Sequence, residues 1–152
     1  MNVVIRVQGD RELERKLLAM DRKVAKKTVR TAVRNGAKVT QKAIKENAKS
    51  IVGGKMGSML SKNTVIRAFK KQRRGSFGVS AMLKPGVEEF VSKGNYIPNA
   101  IEFGHAAPGD AGGTKVVAAM PFIRPAQDAT KDKALRTIEN EVARGIKAVW
   151  NK

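Results

Sequence analysis

From Asp21 to Ala48, small and apolar residues recur at helical spacing: Val29, Val33, Gly36, Thr40, Ala43, Ile44 and Ala48. Steps of three and four mark an amphipathic helix with one buried stripe. Unbroken, that helix spans about 42 Å at ~1.5 Å per residue, comparable with the width of a whole domain of this length. The rest of the chain must pack along it. The stripe is built from Ala, Val and Thr with a single glycine, so a neighbour can approach closely. Gly36 costs about 1 kcal/mol relative to Ala in a helix interior, and reads either as such a contact or as a tolerated kink.

The flanks supply the partners. Val3, Ile5 and Val7 share one face of a short strand over 2–8, and Gly9-Asp10 ends it. Asp10 suits the cap of a first helical stretch whose stripe is Leu13, Leu17, Met20 and Val24, with a change of phase near Asp21. Residues 51–61, with Gly53, Gly54 and Gly57, read as an irregular, flexible loop. Two strands over 63–70 and 76–83 form a hairpin linked by the basic turn Lys71-Gln72-Arg73-Arg74-Gly75. Lys84-Pro85-Gly86 is a further turn, and Pro98 bars the segment 96–103 from a central strand position. Residues 104–120 carry Gly104, Pro108, Gly109, Gly112 and Gly113 and form a long connector of the kind that is functional or ordered on binding.

Pro125 fits the first turn of a closing helix, where its missing N–H is not needed. Ala129, Leu135, Ile138, Val142, Ile146 and Val149 give that helix its inner face, ending near Trp150. The expectation is one α+β domain over 1–152, a long N-terminal helix and a C-terminal helix packed on a small antiparallel sheet, with flexible loops at 51–61 and 104–120.

Charge is the second strong feature. The chain has 31 Lys+Arg against 13 Asp+Glu, a formal charge of +18. Residues 1–50 hold 14 basic and 5 acidic residues, 51–86 hold 8 and none, and 87–152 hold 9 and 8. A field of this kind attracts polyanions and releases counterions on meeting phosphates. Lys70, Lys71, Arg73 and Arg74 are the candidate DNA-proximal cluster; the alternative is that a charged turn simply keeps a hairpin soluble. No zinc-finger spacing, basic zipper or aromatic-rich RNA-binding signature is present.

Several kinds of chemistry have no material here. The 152 residues contain no Cys and one His, His105, which excludes thiolate sites and multi-histidine metal sites. Lys55 among glycines lacks the order of a phosphate-binding loop. The adjacent Glu88 and Glu89 diverge on either a strand or a helix, so they do not form an acid–base dyad. His105 reads as an exposed loop residue. No catalytic set, cofactor or metal is expected, and no stretch approaches the ~18 apolar residues of a membrane span. The N-terminus meets Arg6 too early for a signal peptide, which points to a soluble protein made in a cytoplasm.

Two short motifs are more particular. Ile101-Glu102-Phe103-Gly104 precedes the Gly-rich connector, and Met120-Pro121-Phe122-Ile123-Arg124-Pro125-Ala126 follows it. With the order of elements around them, they resemble the tail-completion, or head–tail joining, family of long-tailed bacteriophages. The chain departs from that family's pattern at Gly57-Ser58-Met59-Leu60, preceded by Met56 in place of Thr, and at His105, where Thr is common. The resemblance implies a structural virion protein, assembled in the host cytoplasm. It would form a homo-oligomeric, hexameric ring at the head-proximal end of the tail, against neck or connector proteins and the tail terminator or tube, and near DNA in transit. The alternative is a nucleic-acid-binding protein without sequence specificity. Interface candidates are Glu102, Phe103, Gly104, Pro121, Phe122, Arg124 and Pro125. Arg124 can pair with Glu102 or with a neighbouring subunit, and the two Phe residues are either interface anchors or core.

Overall fold

In chain order the elements are β1 (Val3–Val4), α1 (Arg22–Asn47), a π-helical turn (Ala48–Val52), α2 (Gly54–Asn63), β2 (Thr64–Ala68), β3 (Val79–Leu83), β4 (Val91–Ser92), β5 (Asn95–Tyr96), α3 (Ile97–Phe103), β6 (His105–Pro108), β7 (Thr114–Val117) and α4 (Arg124–Trp150). The computed structural model describes residues 3–4, 11, 15, 22–70, 76–84, 87, 91–92, 95–108 and 114–150. The fold is α+β, with two long helices and small antiparallel sheets. The helical stripe over 13–20, most of the strand over 2–8, Glu88 and Glu89 lie outside the described residues.

The long helix expected from periodicity is α1, and its buried face holds Ala32, Val33, Ala37, Thr40 and Ile44, continuing to Ala48 in the π-helical turn. Helix α4 runs antiparallel beside it, with Ala126, Thr130, Ala134, Ile138, Val142 and Ile146 buried at four-residue steps. Ala129 and Val149, read from sequence as part of that inner face, are exposed. The four-residue row fixes a narrower stripe, which turns both of them outward.

Gly36 lies where the two helices pack closely. A Cβ there would run into the Ile138 side chain and come within 3.0 Å of the Ala134 carbonyl oxygen. The glycine is therefore a packing contact and not a kink. Gly145 does the same on α4, where a Cβ would overlap Thr28. One turn beyond Gly36 the Thr40 and Thr130 hydroxyls lie 3.0 Å apart, both buried. Thr130 gives its single proton to the Ala126 carbonyl at 2.6 Å, so Thr40 donates in the bond between them.

Strands β1, β3 and β2 form one antiparallel sheet in that order, with Ile66 opposite Ala81 and Val3 opposite Ala81 on the other side. The hairpin expected over 63–83 is β2–β3. Its inner strand is buried almost continuously from Val79 to Leu83, as a central strand must be. One core joins Ile44, Ala48, Leu60, Leu83, Phe122, Ile123 and Ala126. A second joins Ala32, Val33, Ala37, Val79, Ile138, Val142 and Ile146.

Two segments differ from the sequence reading. Where an irregular loop is expected over 51–61, the chain makes the π-helical turn and α2, with Gly53 at φ 69° between them. Leu60 is wholly buried, and Gly57 sits against the Ala48 carbonyl, so tertiary packing supplies the helical stability that three glycines withhold. In place of a structureless 104–120 connector, β6 and β7 form a ladder from His105–Val117 to Pro108–Thr114. Pro98 lies in the first turn of α3, a helix. No helix among the described residues is long and apolar enough to cross a membrane.

Candidate functional site

The two motifs meet at the start of α4. Helix α3 ends on Glu102 and Phe103, and Gly104 reverses the chain at φ 73°. A Cβ on Gly104 would lie 2.7 Å from the Val117 carbonyl oxygen, so conformation and space both demand glycine there. The β6–β7 hairpin then carries the chain out and back. On return, the Met120 N–H donates to the Ile101 carbonyl at 2.8 Å.

This places the Glu102 carboxylate beneath the first turn of α4. It accepts the backbone N–H of Phe122 at 2.8 Å, Ile123 at 3.0 Å and Arg124 at 3.1 Å. The Arg124 Nε donates to it at 3.2 Å, while Arg124 Nη2 donates to the Glu102 carbonyl at 3.2 Å. A helix start carries orphan N–H groups and positive dipole potential, and α4 has no acidic residue in its own first turn. Glu102 supplies that anion from 22 residues upstream of Arg124. The side chain is 1% exposed, a burial tolerable for a charge only when its acceptor positions are filled. With four donors aimed at its two oxygens, this carboxylate is a structural latch and holds no free lone pair suited to accepting a substrate proton.

Asn47, at the end of α1, braces the same junction by donating from Nδ2 to the Phe122 carbonyl at 3.2 Å. Of the sequence-derived interface candidates, two are internal. Glu102 is the latch, and Phe122 is 0% exposed in the core, so neither serves as a surface anchor. Glu102 is the partner that Arg124 takes within its own chain. Gly104 and Pro121 are half-buried, and Pro125 is exposed. Phe103 is the aromatic left outside, 54% exposed, with the Arg124 guanidinium carbon 4.8 Å from its ring centre.

Phe103 has company. Val116 on β7 is 80% exposed, and Met120 is also exposed, as are Ala106, Ala118 and Ala119. Strands β6 and β7 pair only with each other among the described residues. A lone two-stranded ribbon is marginal in water and presents open edges. The rim of the latch is thus an apolar, strand-edged stem with one arginine guanidinium over an aromatic ring. Val116 and Met120 escape sequence inspection because their exposure depends on what packs over the hairpin in three dimensions, and no described strand pairs with it besides its own two.

The basic turn is only partly described. Lys70 is exposed, where β2 leaves the sheet; Lys71, Arg73 and Arg74 lie outside the described residues. His105 is exposed on β6, as expected. A shallow groove on α2, lined by Gly54, Lys55, Ser58, Met59, Lys62 and Asn63, holds no carboxylate. Comparison of the chain with protein-family models, curated proteins and solved structures finds no match.

Proposed function

We propose that this chain is a structural virion protein of a long-tailed bacteriophage. It assembles as a hexameric ring at the head-proximal end of the tail and joins the tail to the filled head through neck proteins and the tail terminator or tube. It performs no catalytic step. The observation that carries the reading is the convergence of the two family-like motifs. Ile101–Gly104 and Met120–Ala126, separated by a hairpin, interlock through Glu102 and set an exposed apolar stem on a rigid base.

Such a stem has the composition of an interface centre: Phe, Met and an Arg over the Phe ring, with strand edges available for main-chain pairing. Its occupant in this reading is the next copy of the chain, since a cyclic ring needs one patch on every subunit that meets a different patch on its neighbour.

Light scattering on the purified chain, alone and with tails lacking it, tests the proposal. A defined ring, or a monomer that becomes tail-bound, is the expected result. Val116→Lys alters an 80% exposed position and leaves the core untouched, so it should fold normally and fail to assemble. Particles made without the gene should accumulate as full heads beside finished tails. Ordinary infectious virions from that deletion would end the proposal.

A further inference from the structure

The exposed face of α1 is a second surface, distinct from the latch and its stem. The helix holds nine Lys/Arg and one Glu. Lys26, Lys27, Arg30, Arg34, Lys38 and Lys42 are all exposed on it, and Lys49 is exposed in the π-helical turn. At 100° per residue the six on α1 fall within an arc of about 160°, with the buried Ala32, Val33 and Thr40 outside it. From Lys26 to Lys49 the stripe is about 35 Å long at ~1.5 Å per residue, close to one turn of duplex DNA.

Helix α4 provides an internal comparison. It is equally long, lies against α1 and needs the same solubility, yet it balances six basic residues with four acidic ones. Solvation alone therefore does not account for the one-signed face of α1. Glu46, 3.9 Å from Lys42, is the acid at its edge. At the other edge Arg30 and Arg34 hold their guanidinium carbons 5.4 Å and 5.9 Å from the Phe77 ring centre. Phe77 precedes Gly78, whose carbonyl accepts from the Phe69 N–H at 3.2 Å, so exposed Lys70 lies near that edge.

We infer that the α1 stripe binds the phosphate backbone of double-stranded DNA without reading sequence. Rigidity and length match a duplex, whereas single strands are held by exposed stacking aromatics, which this face lacks. A membrane surface requires an apolar face free to enter the lipid, and the apolar face of α1 is spent in the core.

The test uses the full chain and a 20-base-pair duplex over a series of salt concentrations. Lys27, Lys38, Lys42 and Lys49 are changed together to Gln, which keeps helix propensity. The slope of log affinity against log salt should become shallower by about three to four, and affinity at 0.1 M salt should fall on the order of 100-fold. The same four changed to Arg should bind as the parent does. A control set on α4, Lys131, Lys133, Arg136 and Lys147 to Gln, removes equal charge and should cost less than tenfold.

Equal losses from both sets would show that net charge alone is felt, and would overturn the proposal. So would an unchanged slope in the α1 set, or binding to vesicles of 30% anionic lipid without binding to duplex. Tail docking is a separate readout. A chain that docks and ignores DNA sinks only this inference, and one that binds DNA and never docks sinks only the ring.

Discussion

Glu102 shows how much a single residue can hold in this protein. Its carboxylate takes three backbone N–H groups and one guanidinium N–H, and each loses its partner if the side chain is cut back. Glu102→Ala should destabilise the chain by about 3 kcal/mol, because buried donors at Phe122 and Ile123 are left unsatisfied. Glu102→Gln, with one acceptor oxygen and an NH2 turned toward donors, should fall between Ala and the parent. Arg124→Ala should cost only about 1 kcal/mol, since that side chain is 44% exposed and its charge is screened. Urea unfolding of the three variants checks the ranking; an Arg124→Ala loss equal to that of Glu102→Ala would contradict the latch. The two motifs were legible in the sequence, and Glu102 was one of the two partners it offered Arg124. That Glu102 also caps a helix starting 22 residues away was not, because nothing local to either segment encodes the backbone contacts.

At the scale of elements, the antiparallel α1–α4 pair is the main joint. Its closeness depends on Gly36 against Ile138 and Gly145 against Thr28. Ala has higher helix propensity than Gly by about 1 kcal/mol, so on an exposed helix Gly36→Ala would stabilise. Here overpacking of 1–3 kcal/mol opposes it, and the net change should be destabilising. Pairing Gly36→Ala with Ile138→Val, which clears the nearest methyl group, should recover part of the loss. Thermal unfolding of the single and double variants measures this coupling. Additive effects would show that the two residues do not meet. Helices α1 and α4 were readable from periodicity, since each spends its own stripe on the core. Helix α2 was not: its two glycines, with Gly53 just before it, argue against a helix, and the burial of Leu60 and the seat of Gly57 on the Ala48 carbonyl favour it.

At the scale of the molecule, the described residues present two surfaces of different character outside the cores: the apolar stem around Phe103, Val116 and Met120, and the cationic face of α1. Their separation predicts separable losses. Val116→Lys should abolish assembly and leave duplex binding intact, while the four α1 glutamines should weaken duplex binding and leave ring formation intact. Running light scattering and the salt series on both variants gives the check. A variant set that fails both assays together would mean one surface and not two.

Sequence alone determined the elements that bury their own apolar pattern: the long α1, the β2–β3 hairpin, α4, and the uneven placement of charge. Periodicity and charge are local properties, written in consecutive residues. Tertiary structure decided the rest. It turned most of 51–61 into helix, paired 105–108 with 114–117, sent Phe122 inward and left Phe103 outside, and closed Glu102 onto the start of α4. Each of these depends on which distant backbone groups and side chains come within hydrogen-bonding or packing distance, a relation that no stretch of chain carries by itself.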